Sequence, residues 1–153
     1  MSSPEQRLAE LGLALPDVAA PVAAYLPAVR SAGLVYTSGQ LPTVKGELHA
    51  VGLVGAEVDA DTAKECARLC ALNALAAVRA EVGDLSAVRR VVKVVGFVAS
   101  ARGFTGQPGV VNGASELLAE VFGAAGRHAR SAVGVAVLPL NAPVEVELIV
   151  EVG

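Results

Sequence analysis

The end of the chain, Val144 to Val152, constrains the fold more than any other stretch. Val144, Val146, Leu148, Val150 and Val152 put an apolar side chain at every second position, and Glu145, Glu147, Ile149 and Glu151 fill the places between. Side chains alternate faces along a strand, so this segment reads as a strand with one continuous apolar ribbon and one face carrying three carboxylates. The ribbon needs a core. The carboxylate face meets solvent, a cation or a partner subunit. Just upstream, Arg130 and Ser131 lead into Val133, Val135 and Val137, a second strand. The turn between Pro139 and Pro143 predicts an antiparallel closing hairpin. Arg130 and Glu145 need not then be direct cross-strand neighbours, yet both fall near one cleft, and that pair is the strongest chemical signal in the sequence.

Composition excludes several classes. At 153 residues the chain is one domain's worth. It is 54% hydrophobic and only 18% charged, too apolar for disorder and apolar enough to suggest a subunit interface. Aromatic residues make up 3% and the net charge is -3 without a basic run, which argues against nucleic-acid partners. No run of about 20 apolar residues spans a membrane. The polar start, MSSPEQRLAELG, lacks the features of a signal peptide, so a cytoplasmic protein is expected. Cys66 and Cys70 lie four apart on a helical pattern and read as buried thiols. With His49 and His128 remote in sequence, no metal site is expected.

In chain order, Ser3, Pro4 and Gln6 predict a capped short helix ending near Gly12. Pro16, Pro21 and Pro27 break the next stretch, which turns extended. Val29-Arg30 and Leu34 to Ser38 form a hairpin about Ala32-Gly33. Thr43 to Gly55 reads as a loop. A helix follows, with Thr62 and Glu65 as its capping box, and ends near Gly83. Val88 to Ser100 is a long β-branched run, the central strand. Pro108 opens a second helix whose apolar stripe runs from Val110 to Phe122, with Gly123 as its C-cap. Two strand–helix–strand crossovers imply parallel neighbours, with both helices on one sheet face. The other face, with Lys93, Val95, Phe97, Glu145, Glu147 and Ile149, is left for an oligomer contact.

Five segments together resemble the Rid family of reactive intermediate deaminases, also called YjgF-like: YTSGQLP (Tyr36 to Pro42), VVKVVGFVAS (Val91 to Ser100), VNGASELLAEVFG (Val111 to Gly123), ARSAVGVAVLP (Ala129 to Pro139) and VEVELIVEV (Val144 to Val152). The resemblance implies an α+β, chorismate-mutase-like fold, a mixed sheet with two helices packed on one face. It implies a homotrimer with a barrel-like interior and ligand clefts between subunits. It implies hydrolysis of 2-imino acids or their enamine tautomers to 2-oxo acids and ammonia, without a cofactor.

By the same resemblance, Arg130 grips the substrate carboxylate, for which a planar guanidinium fork is suited. Glu145 positions the water at the imine carbon. Ser38 and Gly39 match the turn beside the cleft, Tyr25 a tyrosine thirteen positions before that serine, and Asn112 an asparagine of the second helix. Ala132 stands where many members have cysteine, and Ala129 where many have proline. With the N-terminal helical extension over residues 1–20 and the 43–55 loop, both longer than in compact members, these departures resemble a divergent subgroup. The alternative function is a non-catalytic trimer that binds small carboxylates. Ser38 reads as a positioning hydroxyl, because no base is placed beside it. Gly113-Ala114-Ser115 is not a nucleophile elbow, since Leu117 stands where glycine belongs. His128 is expected on a loop, with a possible influence on protonation in the cleft.

Overall fold

A computed structural model describes residues 2–19 and 23–153, which leaves Pro21 outside the described residues. Along the chain the elements are α1 (Pro4–Glu10), β1 (Ala28–Ser31), β2 (Leu34–Thr37), β3 (Thr43–Val44), β4 (Glu47–Leu48), α2 (Ala60–Val82), β5 (Val88–Ala99), α3 (Gln107–Phe122), β6 (Ala129–Val135) and β7 (Val144–Val152). Five strands form one mixed sheet in the order β1-β2-β7-β5-β6, and β3 and β4 form a separate small hairpin.

β7 lies at the centre, antiparallel to both β2 and β5. Its even-numbered side chains are all buried, and Glu145, Glu147 and Ile149 are half-buried on the other face. α2 covers this ribbon, and α3 lies beside it over β5 and β6, so the two long helices share one sheet face as expected. α2 is rich in alanine, and Ala63, Ala67, Ala71 and Ala74 are fully buried where it lies against the sheet. Two glycines set the helix spacing. A methyl on Gly96 of β5 would strike Val111 of α3, and a methyl on Gly113 of α3 would strike the Lys64 carbonyl of α2. On the outer side of the helix pair, Lys64 meets Glu116 at 3.1 Å and Arg68 meets Glu120 at 3.3 Å.

The closing hairpin does not form. β5 is inserted between β6 and β7, parallel to the first and antiparallel to the second. The connection from Val135 to Val144 instead crosses the end of β5, through a single turn at Pro139–Asn141 where Leu140 and Asn141 both have positive φ. Of the two crossovers, the one through α3 joins the parallel neighbours β5 and β6. The one through α2 joins strands separated by β7.

Two local expectations also change. α2 is capped by Asp59, whose side chain accepts the Thr62 N–H at 2.7 Å, so the helix starts before the expected Thr62 box. Within 43–55, β3 and β4 close on Lys45-Gly46, both at positive φ, the geometry of a tight two-residue hairpin turn. The short N-terminal helix stands as expected: among the described residues of the extension it is α1, capped by the reciprocal Ser3–Gln6 bonds. Glu5 accepts the Leu85 N–H at 2.9 Å, Arg7 donates to the Val121 carbonyl at 3.1 Å, and Leu8 is buried. α1 thus staples the entry to β5 onto the C-terminal end of α3. No helix among the described residues is long and apolar enough to cross a membrane.

Candidate functional site

The expected site residues fall into two groups. The first is built on the interruption between β2 and β7. Pairing runs as far as Tyr36 with Ile149. There the Thr37 hydroxyl, rather than a carbonyl, accepts the Leu148 N–H at 2.9 Å. Ser38 and Gly39 bulge out, and Gln40 resumes pairing with Val146. The bulge is tied on its outer side: Ser38 Oγ donates to the Leu26 carbonyl at 2.6 Å, and Ser38 N–H to the Pro27 carbonyl at 2.8 Å. The serine hydroxyl therefore positions backbone. Those bonds also bring the Tyr25–Pro27 segment to the bulge, with Tyr25 itself exposed.

Glu145 closes this group. Its carboxylate lies against Gly39, in space that any side chain at 39 would occupy. The YTSGQ sequence is thus explained: Thr ends the ladder, Ser anchors the bulge, and Gly admits the carboxylate. Glu145 is half-buried. Loss of water around it raises its pKa above the ordinary glutamate value, and Glu147 on the same strand face adds to the rise. A carboxylate so placed is a better proton acceptor than a solvated one.

The second group surrounds Arg130, on the edge strand β6. Arg130 is paired with Val94, which is fully buried on the helix-covered face. Its guanidinium therefore reaches α3. Nη1 donates to Asn112 Oδ1 at 2.7 Å and to Ser115 Oγ at 3.2 Å, and Nη2 donates to the Pro108 carbonyl at 3.3 Å. All three acceptors are neutral, and none of the ion pairs among the described residues includes Arg130. A guanidinium has five N–H donors. Nε–H and one N–H of Nη2 remain without an acceptor among the described residues, and the positive charge is uncompensated there. Ala132 lies two residues further along the same face of β6, opposite Gly96. As β6 pairs on one side only, its outer backbone groups are open to a ligand.

The two groups do not share a cleft within the chain. Arg130 sits opposite Val94 on the helix face, while Glu145 sits opposite Phe97 on the uncovered face. β5 separates them. The single cleft expected from a hairpin does not form within the chain, and the residues lie as two groups on opposite sheet faces.

Sequence reading missed three contributors. Asn73 of α2 is buried, and its amide donates to the carbonyls of Leu41 and Thr43, which fastens the segment after the bulge. Ser115 of α3, read in the sequence as part of a dismissed nucleophile elbow, is an acceptor for Arg130. His128 lies on the loop before β6 as expected, and its ring is bonded to Ser115. The cysteines are buried, and burial raises the Cys66 thiol to about 11 and Cys70 well above its ordinary value, so neither serves as a thiolate near neutral pH. Among the described residues no group of three or more His, Cys, Asp or Glu could hold a metal ion.

A mixed sheet with two long helices on one face, an arginine held open by neutral acceptors and a half-buried glutamate against a glycine bulge define the class of molecule. Residues 5–152 match the model of one family, described as "YjgF/chorismate_mutase-like, putative endoribonuclease", and the chain belongs to that family. It is 45% identical over 147 residues to Protein TCP17 of Trypanosoma cruzi, covering 95% of this chain and 92% of that one. Its structure is similar to that of a protein of unknown function from Agrobacterium tumefaciens, with 52% identity, a TM-score of 0.92 and coverage of 98% and 92%. It is also similar to RidA from an Antarctic Psychrobacter, with 28% identity, a TM-score of 0.64 and coverage of 89% and 94%.

Proposed function

We propose that the protein hydrolyses 2-imino acids, or their enamine tautomers, to 2-oxo acids and ammonia at a site composed by two subunits of a homotrimer. The observation that carries this reading is Arg130. A cation fixed by three neutral acceptors, with two N–H donors left over, is suited to a carboxylate. The opposite placement of Glu145 supports a site shared between chains: the Arg130 half of one subunit faces the Ser38–Gly39–Glu145 half of the next. The uncovered sheet face, with half-buried Lys93, Val95, Phe97 and Ile149, supports association of subunits there.

In this reading Arg130 binds the substrate carboxylate, and Asn112 holds the guanidinium. Glu145 holds a water and takes its proton as the oxygen adds to the imine carbon. The substrate enters with its imine nitrogen protonated, so addition gives a neutral carbinolamine and protonated Glu145. Glu145 returns that proton to the amine nitrogen, the C–N bond breaks to release ammonia, and the carbinol O–H proton passes back to Glu145 as the C=O product forms. Gly39 keeps Glu145 close to the bulge, and the outer backbone of β6 near Ala132 orients the substrate. The acidic, aromatic-poor composition does not favour RNA as a substrate.

The test is the rate of 2-oxo acid formation from 2-imino acids freshly generated by an amino-acid oxidase, with semicarbazide as the competing trap. Wild type is expected to accelerate the reaction and Arg130→Ala to abolish the acceleration while keeping its fold. Saturable 2-oxo acid binding without acceleration over several side chains would replace this reading with a non-catalytic carboxylate binder.

A further inference from the structure

The hydrogen bonds around Arg130 extend beyond α3. Ser115 Oγ, which accepts from Arg130 at 3.2 Å, lies 2.9 Å from Nε2 of His128. The other ring nitrogen, Nδ1, lies 2.6 Å from the Gly126 carbonyl. A carbonyl oxygen only accepts, so Nδ1 carries the proton. In the neutral ring Nε2 is then an acceptor and takes the Ser115 O–H. The bonds run in one direction, from guanidinium to hydroxyl to imidazole to carbonyl. Each bond in such a chain polarises the next.

The ring has a definite effect on the hydroxyl. A serine inside a helix commonly turns its O–H back to the carbonyl four residues earlier, here that of Val111. His128 offers a competing acceptor on the β6 side. With the O–H aimed at Nε2, the Ser115 oxygen keeps a lone pair for Nη1, and this fixes one edge of the guanidinium. Fixing that edge determines where the remaining two donors point.

We propose that His128, acting through Ser115, is a positioning residue that orients Arg130 for carboxylate capture; the inference rests on the reading of Arg130 as a carboxylate binder. A serine and histidine at this distance also suit a nucleophile and its base. Against that, Ser115 lies in the middle of α3 and its oxygen already accepts a guanidinium N–H.

The test uses the full-length protein and the variants His128→Ala, His128→Gln, Ser115→Ala and the His128→Ala/Ser115→Ala double variant. Affinity for 2-oxobutanoate is measured by calorimetry, and exchange of the Arg130 Nη1 N–H groups, which donate to Ser115 and Asn112, is followed by NMR without ligand. Loss of one hydrogen bond should weaken binding about fivefold in His128→Ala. His128→Gln, whose amide oxygen replaces the Nε2 acceptor, should restore most of the affinity. Ser115→Ala should match His128→Ala, and the double variant should be no weaker than Ser115→Ala. Unchanged affinity in His128→Ala, additive losses, or covalent labelling of Ser115 by a fluorophosphonate would overturn the proposal. If wild type binds no 2-oxo acid, the carboxylate reading of Arg130 fails, and the exchange rates decide the positioning role alone. Faster Nη1 N–H exchange in His128→Ala and Ser115→Ala, but not in His128→Gln, supports it; equal rates in all variants overturn it. Should His128→Ala not fold, His128→Gln and Ser115→Ala carry the comparison.

Discussion

At the level of single residues, Arg130 and Glu145 do opposite kinds of work. Arg130 keeps its charge and is oriented by acceptors. Glu145 is pushed toward its neutral form by burial and by Glu147. Replacing Arg130 with alanine removes two charge-assisted bonds to a carboxylate, so 2-oxo acid affinity should fall by about 3 kcal/mol, or roughly a hundredfold, in calorimetry. For Glu145 the folded pKa lies above the unfolded one, so the folded state binds more protons between the two values. Its contribution to stability is full below the ordinary glutamate pKa and is lost as pH rises through the raised value. Glu145→Gln should therefore be at least as stable as wild type near neutral pH, and should lack that part of the pH dependence in urea melts, while imine hydrolysis is lost. Gly39→Ala should fold, because the group it displaces is the end of a flexible side chain, and should lower activity by moving the Glu145 carboxylate.

At the level of elements, the strands and helices were legible where period and capping agreed. The alternation of β7, the β-branched run of β5, the Ser3–Gln6 cap and the apolar stripe of α3 all stand as read. Strand neighbours were not legible. Adjacent strands in sequence usually pair, and the prolines between β6 and β7 look like a turn. Nothing in those residues shows that β5 is inserted between them, because strand order is decided by which ribbon the helices cover. Glu145 and Arg130 were therefore found by resemblance and alternation, while their opposite faces followed only from the register. His128 and Ser115 carry no spacing signal, since their contact depends on how α3 lies along β6. The seat of α3 is set by close approach at two glycines, to α2 at Gly113 and to β5 at Gly96. Gly113→Ala would press a methyl on the Lys64 carbonyl and should destabilise by about 1–3 kcal/mol or more in urea denaturation, with Gly96→Ala in the same direction.

For the whole molecule, the half-sites and the uncovered face lead to one expectation, that the working unit contains several chains. Light scattering should give a mass three times the 15.4 kDa of the chain. The most direct test of a shared site is complementation. Arg130→Ala and Glu145→Gln, each inactive alone, are unfolded together in equal amounts, refolded, and assayed for imine hydrolysis. Random assortment of two chains at each interface should restore about a quarter of wild-type activity. No recovery from correctly assembled mixed oligomers would contradict a site built from the Arg130 of one subunit and the Glu145 of another.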